Sequence, residues 1–162
     1  MHQHAHELIP ELAQWNGGKA IDLLGFIDCD GRYDHAIGYA TIFWPDFVIY
    51  EGCIFVRPPD DANFRQWKEV FKGDLSETEK MINHRHIMDI FLNSAYPPTR
   101  EILRHLGKVL KSMWECRIQR DFPEKRVVVE FFEDDNASLV DGYILTVYQV
   151  RPPTGHNQCA LP

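Results

Sequence analysis

The stretch VVVEFFEDDNASLVDGYILTVYQV, residues 127–150, decides the fold class. Val127 to Phe132 and Tyr143 to Val150 are rich in β-branched and aromatic residues, which suit a pleated, half-buried surface. Between these runs, Glu133-Asp134-Asp135-Asn136 reads as the exit of the first strand and Asp141-Gly142 as the entry to the second, so they are expected to pair. The second run stops at Val150-Arg151-Pro152-Pro153, and the same four letters, Val56-Arg57-Pro58-Pro59, close the run that begins at Val48. Proline cannot donate to a sheet ladder, and two in succession force an extended exit. A capped helix is expected after the first copy and a polar tail after the second, so VRPP is one stop signal used twice and not an internal repeat.

The rest of the chain supplies helices. Ile102, Leu103, Leu106, Val109, Leu110, Met113, Trp114 and Ile118 keep helical spacing and predict a helix from Arg100 to Asp121. Asp60-Asp61 is expected to cap a helix carrying Phe64, Trp67, Val70 and Phe71 and closed by Gly73. Ser76-x-x-Glu79 reads as a capping box for another, running past His84 to Leu92. Leu8, Leu12 and Trp15 suggest a short helix before Asn16-Gly17-Gly18, and Asp34 is a candidate N-cap for the segment to Trp44. Residues 20–27 fit a helix or a strand. The expected fold is α+β, with a small antiparallel sheet of three or more strands, including that of residues 48–56, packed against several helices.

A chain of 162 residues, 44% of them apolar, is read as a single globular domain over 1–162, with 1–6 and 154–162 as candidate flexible ends. No apolar run reaches the roughly 18 residues of a membrane span, and the N-terminus lacks a signal peptide's pattern, so a soluble cytoplasmic protein is expected. Cys29, Cys53, Cys116 and Cys159 are scattered and form no C-x-x-C pair, which suits reduced thiols, with Cys53 a small core residue.

The net charge of −7 makes nucleic-acid binding unfavourable, because phosphates need a cationic surface to replace their counterions. The charge is uneven: residues 99–126 hold eight Lys and Arg against four Asp and Glu. Arg100, Arg104, Lys108 and Lys111 recur at helical spacing and make one basic stripe, opposite Ile102, Leu106, Val109 and Met113. Solvent or the chain's own acidic loops can answer that stripe, but it is also the candidate face for an acidic protein partner.

Catalytic signatures are missing. There is no G-x-S-x-G, no glycine-rich phosphate loop and no H-E-x-x-H. On the expected helix, His84 and His86 point about 200° apart and cannot share a metal. His2, His4 and His6 lie in a terminus, and Asp28-x-Asp30-Gly31-x-x-Asp34 departs from a calcium loop in the place of its glycine and the lack of a closing glutamate. No metal and no cofactor are expected. The reading is a protein-interaction module, adaptor or inhibitor-like, acting through charge complementarity. An enzyme of unfamiliar type, a metal-assisted hydrolase using Glu130, His84 or the His-rich terminus, is the alternative.

Overall fold

The computed structural model describes residues 8–92 and 97–151. The expectations for the chain ends, and for the prolines of the second stop, lie outside the described residues. A 3₁₀ turn at Pro10–Gln14 leads into the single turn α1 (Trp15–Gly18), which is left through Asn16, Gly17 and Gly18, all at positive φ. Residues 20–27, open in the sequence, start the helix α2 (Leu23–Asp30), because the Asp22 carboxylate takes the Gly25 N–H at 2.7 Å and supplies the cap. Next comes the helix α3 (Tyr33–Phe43). It begins before Asp34, so that residue is not the expected N-cap; its carboxylate binds the Arg32 guanidinium instead.

The run from Val48 to Val56 is not one strand. It is a hairpin of β1 (Val48–Tyr50) and β2 (Cys53–Phe55), with Val48 opposite Phe55. Glu51 and Gly52 both have positive φ, 51° and 76°, the conformation of a tight two-residue hairpin turn. The first Arg-Pro-Pro then ends β2, and Asp60 caps α4 (Asp61–Val70) through the N–H groups of Ala62 and Asn63.

The helix α5 (Leu75–Ile82) departs from expectation at both ends. Asp74 is its cap, accepting from Ser76 and Glu77, while Ser76 donates its hydroxyl to the Gln149 carbonyl. It stops at Ile82 instead of continuing to Leu92, and the chain becomes extended in β3 (Arg85–His86) before the single turn α6 (Ile87–Ile90). The long helix α7 (Arg100–Asp121) starts at the Thr99 cap, and β4 (Val127–Glu133) and β5 (Tyr143–Gln149) complete the chain.

The fold is α+β. β5 is the central strand of an antiparallel sheet ordered β3-β5-β4, with Val129 opposite Val147, Phe131 opposite Leu145 and Arg85 opposite Leu145. The β1–β2 hairpin is a second sheet, joined to the first by side chains of α5. Glu79 accepts the N–H groups of Ile54 at 2.6 Å and Gln149 at 2.7 Å. Asn83 accepts from Val56 and donates to the carbonyls of Ile54 and Val147. These two side chains fill the place of a strand between β2 and β5, and Asn83 turned inward is where the helical path ends.

Leu103, Gly107, Leu110, Trp114 and Ile118 form the buried face of α7 and pack with Val129, Leu145 and Val147. A Cβ on Gly107 would land inside the Phe131 ring, so glycine lets helix and sheet approach. Burying each large apolar side chain is worth about 1.5–3 kcal/mol. That outweighs the few tenths of a kcal/mol per like-charge i,i+4 pair along the same helix.

Candidate functional site

The buried face of α7 lies beside the basic stripe. Arg100, Arg104 and Lys108 therefore lean over the end of β4 and the loop after it, while Lys111 lies by the start of β4. Arg104 binds Glu133 at 2.8 Å and Asp135 at 2.7 Å. Lys108 lies 3.2 Å from Glu133, Lys111 lies 3.8 Å from Glu115, and Arg100 donates to the Ala137 carbonyl at 3.1 Å. Asp135 also accepts the Tyr143 hydroxyl, and that bond, ahead of the nearby arginines, lowers its pKa. Glu133 at the end of β4 and Asp135 after it, read from sequence as a strand exit, are the counter-charge of Arg104 and Lys108.

Histidines 84 and 86 contradict the angular argument drawn from a helix. In an extended chain, residues two apart share a face. Their Nε2 atoms lie 3.2 Å apart, and His86 Nδ1 lies 2.7 Å from the Val140 carbonyl. That carbonyl can only accept, so His86 carries its proton on Nδ1, its Nε2 accepts, and the His84 Nε2–H donates. Burial, then the charge of His86, lowers the His84 pKa. The two rings are near enough to share an ion, contrary to expectation. Among the described residues, however, no three His, Cys, Asp or Glu side chains are grouped to hold one.

Of the other catalytic candidates, the His-rich terminus lies outside the described residues and Glu130 is engaged in an ion pair. Glu130 lies on the sheet face toward Lys80 and pairs with it at 2.8 Å, both half exposed. Glu79, 0% exposed, meets Arg151 through both carboxylate oxygens, at 2.8 and 3.0 Å, and takes the Gln149 amide. Beside it, burial first and the Glu79 carboxylate second push the Cys53 thiol up to about 11. Such a thiol stays protonated and packs against Phe55 and Phe64 instead of acting as a nucleophile. Sequence reasoning missed Glu79 as a core residue because its capping-box position gave a surface explanation for the same letter.

The least expected feature is α2–α3. Every residue from 27 to 41 is exposed, and neither helix has a buried residue. Leu24 is 77% exposed, Tyr33 92% and Ile37 69%, with Ile27 and Tyr39 also open. The segment is held at its edges, by Phe26 on Trp15, Tyr39 on Phe91 and the Trp114 indole N–H on the Ile42 carbonyl. The aromatic run after it goes into the fold. Phe47 stacks edge-on against Trp114, and Trp44 lies under the guanidinium groups of Arg117 and Arg120.

Among the described residues, two concavities bear on the candidate sites. One, about 410 Å³, lies between Lys111, Glu115 and Ile118 of α7 and Val127–Val129 of β4. The other, about 370 Å³, is lined by Arg57, Pro58, Pro59, Asp60, Asn63, Ile82, Asn83 and Arg85. Neither joins a nucleophile to a base.

The fold and these sites define a small α+β domain with a buried ion pair linking its two sheets, and none of its described helices is long and apolar enough to cross a membrane. No family model matches the sequence, and neither a curated protein nor a solved structure matches it at a significant level.

Proposed function

We propose that this chain is a protein-interaction module and that α2–α3 is its contact face, occupied by the same face of a second copy. The observation that carries the reading is the unbroken exposure of residues 27–41 on helices rich in apolar side chains. Helices of that kind are normally buried, and large exposed apolar surfaces mark association sites. Leu24 and Ile27 on α2, and Tyr33 and Ile37 on α3, each lie about one helical turn apart and share a face, while Tyr39 lies about 200° from Ile37, on the side that meets Phe91. A standard interface buries about 800 Å² per partner. Leu24, Ile27, Tyr33 and Ile37 are the apolar contribution of α2–α3 to such an interface, and twofold self-pairing is the commonest way for one surface to be covered by its like.

The basic stripe belongs to this reading as a weaker second face. Lys108 and Lys111 keep much of their side chains in solvent, 56% and 40%, so an acidic partner could reach them without unmaking the buried core. A reducing, cytosolic setting fits as well, since Cys29 and Cys116 are exposed free thiols.

Sedimentation velocity from low micromolar concentration upward tests self-association. The expected result is a concentration-dependent dimer that becomes a monomer in Leu24→Asp and Ile37→Asp variants with unchanged circular dichroism. An Arg104→Glu, Lys108→Glu, Lys111→Glu variant is expected to remain dimeric. A wild-type monomer throughout, or a dimer indifferent to the α2–α3 substitutions, would overturn the assignment.

A further inference from the structure

The strand β3 presents opposite chemistry on its two faces. His84 and His86 point one way and pair with each other, while Arg85 between them points the other way, into the 370 Å³ cleft. Arg57, from the first VRPP stop, lines the same cleft. The double proline sets the extended exit from β2 that carries Arg57 there, so the motif does more than end a strand.

Among the described residues, neither Arg57 nor Arg85 forms an ion pair. Glu79, the nearest buried acid in sequence to β3, is taken by Arg151. Asp60 lines the same cleft and keeps its charge, but its Oδ1 takes the N–H groups of Ala62 and Asn63 and it pairs with neither arginine. The Asn83 amide is taken up by Ile54, Val56 and Val147. Arg85 is half-buried, and its pKa is lowered by that burial first and by Arg57 second. Two like charges that share a partly desolvated cleft repel, and a fold that keeps them together is stabilised by an anion.

We propose that the Arg57–Arg85 cleft binds a phosphate-bearing small molecule, with the two guanidinium groups on its phosphate. Guanidinium presents paired N–H donors that match oxyanion geometry, and one phosphate has oxygens enough for both groups where a carboxylate has two. The cleft is larger than phosphate alone, and Pro58, Pro59 and Ile82 beside Asn63 offer an apolar wall and a polar edge to the rest of the ligand. This site is separate from α2–α3 and does not depend on the assembly reading.

The first test uses the full chain and inorganic phosphate in isothermal titration calorimetry and thermal unfolding, with acetate and chloride at matched ionic strength. Phosphate is expected to bind saturably at one site and raise the midpoint, with acetate at least tenfold weaker. Arg57→Met, at an exposed position, is expected to fold normally and weaken phosphate at least tenfold, and Arg85→Met more, while Lys108→Glu leaves it unchanged. Absence of saturable binding, equal effects of acetate and phosphate, or full binding by Arg57→Met would each overturn the proposal.

Discussion

At the scale of single residues, one change of backbone path alters what a side chain can do. His84 on a helix would point about 200° away from His86; His84 in an extended segment donates to His86 across 3.2 Å and is half-buried. Its sign of titration is set by that burial. The unfolded chain takes up a proton near the ordinary imidazole value of about 6.5, and the folded chain, where burial lowers the pKa, takes it up less readily. The contribution to stability is therefore complete above about 6.5 and is lost as pH falls through the folded value. Urea midpoints at pH 7.5 and 5.5 check this: the wild type is expected to lose more stability on acidification than a His84→Gln variant. An equal loss in both proteins would show that the pair is not responsible.

At the scale of elements, the decisive contacts join pieces far apart in sequence. Glu79 holds β2 and β5 by one N–H from each, and Arg151 balances its charge. Removing one member of a buried pair strands the other, at a cost of about 3–5 kcal/mol. Glu79→Ala is expected to lower stability by that amount in urea denaturation, well above the Asp74→Ala loss of about 1 kcal/mol for a helix cap. A Glu79→Ala loss no larger than the cap's would mean that water replaces the stitch. Much of this level is legible in the sequence. The β4–β5 pairing and the span of α7 come from periodicity, because each is built mainly from residues near in sequence with a single apolar pattern. The hairpin reads as one strand because Glu51-Gly52 interrupts it by two residues only, and the signal lies in positive φ at both. The early end of α5 has no apolar marker, since Asn83 stops it by reaching two distant strands.

At the scale of the whole molecule, acids beside the basic stripe of α7 answer part of its charge, the chain keeps a net charge of −7, and α2–α3 exposes Leu24, Ile27, Tyr33 and Ile37. If the α2–α3 faces of two copies cover one another, amides in 23–43 gain protection from association, while those of α7 and β5 are already protected by their packing. Hydrogen–deuterium exchange at two protein concentrations is expected to slow in α2–α3 at the higher one and to stay constant in β5. Exchange in α2–α3 that is independent of concentration would count against the assembly.

The sequence by itself determined the α+β class, the antiparallel pairing of its last two strands, the long helix and the stripe of Arg100, Arg104, Lys108 and Lys111, because spacing along one chain fixes which residues share a face. Tertiary structure alone decided that Glu133 and Asp135 answer Arg104, that Glu79 joins two sheets, that His84 meets His86, and that Arg57 and Arg85 face one cleft. Arg57 and Arg85 belong to elements separated by two helices, and Arg104 lies 29 residues from Glu133. A local pattern carries no information about such distances, which are set only when the apolar faces of α7, β4 and β5 close on one another.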